Sequence, residues 1–464
     1  MNASLILRNV RAYAPEDLGT VDIAIENGKI AAITAPGALQ AASSLDCAGL
    51  IALPGVIETH AHMLLPFGGT QTNNNFFDGT RSGAFGGVTT LIDFADQTKG
   101  GSIRTALESR LATAGAQCAT DYGFHCTLTD LTEETLREIP ALIDEGFTSF
   151  KFYTAYKAGG LFVPYDAMER AFAVIAQHGG IATVHAEQED IVSAATERLL
   201  QAGKTDCRHF LQSRPTEAET AAIDRLIALS EQTGARVLVR HVSSAAGARR
   251  IVRAQKRGVE IYGETCPHYL YFDESVYTRE NAADYLVNPP IRTAEDREGL
   301  WQALESGAAF TIGTDDCAFN LAQKRVSDRF CDIPGGMPGI ETRLVLLYEL
   351  GVRTGRISLS RLAGLTAETP ARLYGIYPQK GRLAAGCDAD IVLLDPNAHT
   401  TLTASNLHER ADYTPYEGME LHVAVAKTFS RGRLIVDGAQ DFAVPGEGKL
   451  LKRGLPVSAI RCKI

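Results

Sequence analysis

The chain has 464 residues, of which 45% are hydrophobic and 22% charged. That balance matches ordinary globular proteins and excludes disordered, collagen-like and coiled-coil classes; at roughly 100–200 residues per domain, the length predicts several domains or one large barrel with a smaller companion. With 45 Lys and Arg against 55 Asp and Glu, the net charge of −10 argues against a general attraction to nucleic acid or anionic lipid.

Residues 1–50 alternate apolar and polar positions between turn residues, as in Leu5-Ile6-Leu7-Arg8-Asn9-Val10, which predicts short strands and hairpins. From Ile57 the texture changes to apolar runs of strand length separated by helical periodicity. Strands are predicted over 56–62, 88–94, 121–127, 148–154, 180–186, 235–242, 259–264 and 309–315, with helices over 102–117, 133–145, 165–178, 217–232, 245–257 and 293–306. Eight such units in sequence predict an α/β fold, a (β/α)8 TIM barrel. After helical stretches near 341–354 and 358–373, short strands return over 386–395, 423–429 and 432–436. The expected division is 1–55 as the first part of a small β-sandwich-like domain, 56–380 as the barrel and 381–464 as the remainder and tail, with 396–420 a surface excursion.

The nine cysteines are scattered and never spaced C-x-x-C, which fits reduced thiols better than a disulfide framework or a zinc ribbon. The first residues carry no basic-then-apolar signal pattern, and no apolar run approaches the roughly 18–20 residues of a membrane span. A cytoplasmic chain without membrane contact is expected.

His60-Ala61-His62 closes the first predicted barrel strand, and side chains at i and i+2 share a face, so both imidazoles can reach one cation. Alone, such a pair is as readily a hydrogen-bonded core feature. Position changes the balance, because His185, His241 and Asp315 end the fifth, sixth and eighth strands, and those ends converge on the active-site face of a barrel. Nitrogen and oxygen donors without thiolate suit zinc first, and also manganese, cobalt or iron. Lys151 lies inside the apolar and aromatic strand Phe150-Lys151-Phe152-Tyr153, where an unpaired ammonium is costly. Either its amine snorkels or pairs with an acid, or it reacts with CO2 to give a carbamate (N6-carboxylysine) that bridges two metal ions. Cys266 and His268, after the seventh strand, read as supporting residues. His125 and the outer histidines 178, 209, 399, 408 and 422 read as local hydrogen-bonding groups. Gly68-Gly69, Gly86-Gly87 and Gly335-Gly336 lack phosphate-loop spacing.

The run from Leu53-Pro54-Gly55 to His60-Ala61-His62, Ser149-Phe150-Lys151, Val184-His185-Ala186-Glu187, Gly263-Glu264-Thr265-Cys266-Pro267-His268-Tyr269-Leu270, Asn288-Pro289-Pro290-Ile291-Arg292 and Gly313-Thr314-Asp315 resembles the amidohydrolase superfamily. Within it, these motifs are similar to the cyclic amidohydrolases: dihydropyrimidinase/hydantoinase, allantoinase and dihydroorotase. The resemblance implies two divalent metal ions per subunit, zinc preferred. His60, His62 and Asp315 would hold one, His185 and His241 the other, and carboxylated Lys151 would bridge both. It further implies a metal-bridging hydroxide as nucleophile, with Asp315 carrying its proton to the departing ring nitrogen. Tyr156, five residues after Lys151, matches a family tyrosine whose hydroxyl stabilises the oxyanion and helps select substrate. The resemblance also implies a homotetramer.

Leu64 stands where dihydroorotases carry an arginine for a substrate carboxylate, which favours a small neutral cyclic ureide or imide. Asn288 stands where hydantoinases commonly have serine and Gly335 where they commonly have asparagine, both positions that hydrogen-bond the ring amide, so an altered or broadened ring preference is expected. The alternatives are an allantoinase-type ureide hydrolase and a non-enzymatic dihydropyrimidinase-related scaffold. Retention of all six implied metal ligands argues against the scaffold.

Overall fold

A computed structural model describes residues 3–457. Its centre is an eight-stranded parallel sheet whose strands lie in sequence order. We label them β1 (Val56–Glu58), β2 (Val88–Asp96), β3 (Asp121–Thr127), β4 (Ser149–Tyr153), β5 (Ile181–His185), β6 (Arg236–Val239), β7 (Ile261–Thr265) and β8 (Phe310–Ile312). The expected 121–127 coincides with β3, whereas β1 and β8 are shorter than expected, at three residues each. Side chains and the segments just beyond the strands close the seam. Arg343 donates to Ile312 O at 2.5 Å and to Ile57 O at 3.1 Å, its guanidinium lies 3.3 Å from Glu58, and Ala61 bridges to Asp316. The curled sheet, wrapped by helices, is a (β/α)8 barrel.

The surrounding helices include Ile103–Gln117, Glu133–Asp144, Tyr165–Gln177, Thr216–Thr233, Ala245–Lys256 and Ala294–Glu305, with a clear apolar stripe on Glu133–Asp144, Tyr165–Gln177 and Ala245–Lys256. Ser102, Thr132, Ser244 and Thr293 cap four of them through side-chain oxygens. The helix Phe76–Phe85 lies outside the expected elements. Its glycines obscure the pattern, but Gly79 is needed there because a Cβ would meet Met63 Sδ at 2.2 Å. The stretches 341–354 and 358–373 are helical but broken by π-helical turns at Tyr348–Val352 and Gly364–Glu368.

Both ends of the chain build one nine-stranded sheet. The join is antiparallel pairing of Ile51–Pro54 with Ile391–Asp395, which sets Val392 opposite Leu53 and Leu393 opposite Ala52. Asn27-Gly28, both at positive φ, forms the tight turn between Asp17–Glu26 and Lys29–Thr34. Ile23, Ile25, Ile391, Leu393 and Phe429 share the core of this small β domain.

The segment 396–420 runs over the surface as expected, with most of its residues exposed or half-buried, but it is pinned at 413–416, where Tyr416 is 3% exposed and joins the barrel's hydrophobic cluster. Tyr413 donates its hydroxyl to Asp284 O at 3.3 Å, and the Arg410 amide donates to Asn74 Oδ1 at 3.0 Å. No described helix is long and apolar enough to cross a membrane. Eight cysteines are free thiols, and Cys462 lies outside the described residues.

Candidate active site

A cavity of about 680 Å3 opens at the C-terminal ends of the barrel strands, and His60, His62, Lys151, Tyr156, His185, His241, Asn288, Asp315 and Gly335 all line it. Most of these residues stand just beyond strand ends rather than within strands. His241, Asp315 and Tyr156 take φ of 37°, 53° and 67°, left-handed conformations that cost on the order of 1–3 kcal/mol each and must be held by the surrounding fold.

Asp315 Oδ1 lies 3.0 Å from His60 Nε2 and 3.3 Å from His62 Nε2. His185 Nδ1 lies 3.0 Å from His241 Nε2. Each pair therefore turns ring nitrogens toward a common centre, and ligand atoms of His60, His241 and Asp315 fall within 4.8 Å of one another. Behind the rings stand carboxylates. Glu264 Oε1 is 2.6 Å from His60 Nδ1, and Glu187 Oε2 is 2.8 Å from His185 Nε2. A carboxylate accepts but does not donate, so these contacts put the proton on the outer nitrogen and leave the inner lone pair facing the centre.

Electrostatics reinforce that assignment. Burial lowers the pKa of His185 and His241, which keeps them neutral, the form that ligates metal. Burial pushes Glu264 and Glu187 up, but Arg240 with His60, and Arg214 with His185, outweigh it and hold both near 2. Asp315 is likewise pushed up by burial and held well below the usual carboxylate range by His60, His62 and His241. Lys151, 1% exposed, is pushed by burial and then by Arg240 down to about 7 against the pull of Asp315 and Glu264. Its Nζ sits 4.9 Å from the Tyr153 ring centre and 5.6 Å from that of Phe94.

This donor set fits a divalent cation. It offers neutral imidazole and carboxylate oxygen, and His241 Nδ1 is buried without a hydrogen-bond partner. Cys317 lies within reach of His62 and Asp315, but burial holds its thiol well above the ordinary range and so protonated. A third cluster, Asp121 with Asp388 and Asp390, already encloses the Lys380 ammonium at 2.8, 3.1 and 2.5 Å.

Tyr156 packs 4.9 Å from His185 and 6.0 Å from Phe67, ring centre to ring centre, with the Arg214 guanidinium 5.1 Å from its own. Burial pushes its hydroxyl up, so it remains a donor at neutral pH. Asn288 Oδ1 is buried without a partner. A Cβ on Gly335 would meet Asn288 Nδ2 at 2.7 Å, which ties the two positions together: a side chain at 335 displaces Asn288. Arg110, in the cavity wall, is committed to Asp93 at 2.7 Å and to the carbonyls of Met63 and Phe94.

Sequence reasoning missed the support behind the histidines. Arg240, 1% exposed, donates to Glu264 Oε2 and to Thr59 O, both at 2.8 Å, and lies 3.0 Å from His125 Nε2. The available signal was a charged residue inside each of two apolar strand segments, which burial obliges to pair. His125, whose Nδ1 lies 2.6 Å from Ser149 Oγ, keeps the local role expected of it. His268 and Cys266 are buried beside the site but do not line the cavity.

The model of the amidohydrolase family matches residues 51–435. The chain is 36% identical to D-hydantoinase of Geobacillus stearothermophilus over 454 residues, 97% of this chain and 96% of that protein. It is also 36% identical to D-hydantoinase of Streptomyces coelicolor over 463 residues, 98% of both chains. Among solved structures, dihydropyrimidinase from Brevibacillus agri NCHU1002 superposes with a TM-score of 0.95 at 37% identity, covering 98% of this chain and 99% of that one.

Proposed function

The chain belongs to the amidohydrolase family, and from that premise we propose that it hydrolyses the ring C–N bond of a small neutral cyclic amide, a hydantoin, dihydropyrimidine or related imide. The observation that carries the reading is the convergence of two histidine pairs and Asp315 on one centre, with buried carboxylates bracing His60 and His185 from behind.

In this reading His60, His62 and Asp315 would hold one divalent ion and His185 and His241 a second, zinc preferred. When bound, the ions supply the Lewis acidity that activates water and polarises the scissile carbonyl. Lys151, as a carbamate, would offer oxygen donors to them. With its pKa near 7, a large share of the amine is neutral at physiological pH; its lone pair forms an N–C bond to CO2 and one proton leaves to solvent. Asp315 takes the proton of the attacking water and returns it to the ring nitrogen as the C–N bond breaks. The Tyr156 hydroxyl donates to the carbonyl oxygen as negative charge grows on it. Asn288 offers its unpartnered Oδ1 to a ring N–H.

A neutral ring follows from the cavity's cations. Arg110 is already paired and Lys151 is spent on the carbamate, so neither remains for a substrate carboxylate. Asn288 Nδ2 stands 2.7 Å from where a Cβ on Gly335 would lie, so the room for a ring substituent on this side is set by Asn288. The reading includes a cytoplasmic homotetramer and the division 1–55, 56–380 and 381–464, the last supported by the pairing of Ile51–Pro54 with Ile391–Asp395. The test is a turnover panel of hydantoin, 5-substituted hydantoins, dihydrouracil, allantoin and dihydroorotate. Comparable rates on dihydrouracil and bulky 5-substituted hydantoins are expected; exclusive use of allantoin would overturn the reading.

A further inference from the structure

Lys324 ends the short helix Leu321–Lys324 outside the cavity, yet it is wholly buried. Its Nζ donates to three main-chain carbonyls, Leu286 O at 2.9 Å, Pro334 O at 2.7 Å and Gly336 O at 2.9 Å. Among the described residues no carboxylate forms an ion pair with it, and the nearby Asp284 is engaged by Arg325 at 2.7 Å. A buried ammonium matched only to carbonyl dipoles is an expensive arrangement, and an apolar side chain of similar length fills the same space more cheaply. Its placement explains what the cost supports. Leu286 lies two residues before Asn288, while Pro334 and Gly336 flank Gly335 on both sides. The Gly336 amide also donates to Leu286 O at 2.8 Å, so that one carbonyl accepts from both the Lys324 ammonium and the facing segment. Asn288 and Gly335 approach so closely that a Cβ would not fit between them, and their spacing therefore depends on how firmly segments 286–288 and 334–336 are held together.

We propose that Lys324 is a positioning residue that clamps the two segments carrying Asn288 and Gly335, and so sets the wall against which the substrate ring amide is held. The inference rests on the cyclic-amide reading above. It concerns binding rather than bond breaking, because Lys324 touches neither the cavity nor the histidine cluster.

The test is Lys324→Met in the metal-loaded full-length protein, assayed on hydantoin and 5-phenylhydantoin beside the wild type. The expected result is a rise in KM of about tenfold or more on both substrates, with kcat within about threefold of wild type and metal content unchanged, the pattern of lost ground-state positioning. In Lys324→Ala, the deleted atoms correspond to propylammonium; adding that ion is expected to restore KM, whereas tetramethylammonium, which cannot donate, is not. Wild-type KM and kcat in Lys324→Met would overturn the proposal, as would a parallel loss of kcat and metal. So would failure of both variants to fold even with propylammonium, which would make Lys324 a fold residue only. Failure of the cyclic-amide reading is separate: the wild type itself would then open neither ring.

Discussion

Replacing Tyr156 with phenylalanine removes one oxygen and leaves the rest of the side chain in place. The ring contacts to His185 at 4.9 Å and Phe67 at 6.0 Å, and the guanidinium of Arg214 at 5.1 Å, do not involve the hydroxyl. The φ of 67° is a main-chain property that phenylalanine tolerates as well as tyrosine does. What is lost is a hydroxyl inside a buried cavity, held protonated by burial, together with its side-chain hydrogen bond to Asn288; in the proposed reaction it is the donor to the carbonyl oxygen as charge develops there. Donors of this kind contribute about 2.7–4 kcal/mol, which corresponds to a fall in kcat of about 100- to 1000-fold. The assay is steady-state ring opening of dihydrouracil or a 5-substituted hydantoin, with metal content measured in parallel so that a lost ion is not mistaken for a lost donor. An unchanged kcat at full metal loading would refute the assignment; a raised KM alone would reduce Tyr156 to a binding residue.

Gly335→Asn forces a side chain against Asn288 and is expected to reduce kcat/KM on bulky hydantoins by more than about tenfold. Asn288→Ser in the same chain is expected to recover part of that loss, and a double-mutant cycle reads the coupling, about 1–3 kcal/mol. Lys380→Met leaves buried Asp390 without its cation, while Asp388 keeps Lys29 and Asp121 keeps Arg431, and is expected to destabilise the protein by about 3–5 kcal/mol in denaturant unfolding, without altering the metal content of the active site. Reconstitution of metal-free protein should depend on pH through Lys151. Its amine must be neutral to attack CO2, so at fixed dissolved CO2 the rate of activation falls as pH drops below about 7 and levels off above it; a rate flat from pH 6 to pH 8 would remove the carbamate from the account.

The barrel was legible because its strands are apolar runs bounded by turns and several of its helices keep a 3.6-residue period, so 121–127 and Asp121–Thr127 agree residue for residue. The seam was not. Val56–Glu58 and Phe310–Ile312 stop early because side chains such as Arg343, which lies far along the chain, replace ladder hydrogen bonds there. The lining residues were legible for the same reason as the barrel: once eight strand ends are placed, His60, His185, His241 and Asp315 fall at one mouth. The brace on His60 was hidden, since Glu264 is 204 residues away and nothing local in the sequence joins them, whereas Glu187 lies only two residues beyond His185. Lys324 was hidden differently, as one charged residue in a loop that reads as solvated until burial shows otherwise. The segment 396–420 was legible as a turn-rich surface loop from its Asn, Thr, Pro and Gly content, whereas its anchors Tyr413 and Tyr416 were hidden because they carry no periodic pattern.

Titration of the metal-free protein with zinc in the presence of bicarbonate, while following ring opening of dihydrouracil, tests the central claim most directly. Activity is expected to be absent without metal, to rise with added ion and to reach its plateau at two equivalents per chain. Ring opening that needs no metal, or that is complete at one equivalent, would contradict that claim.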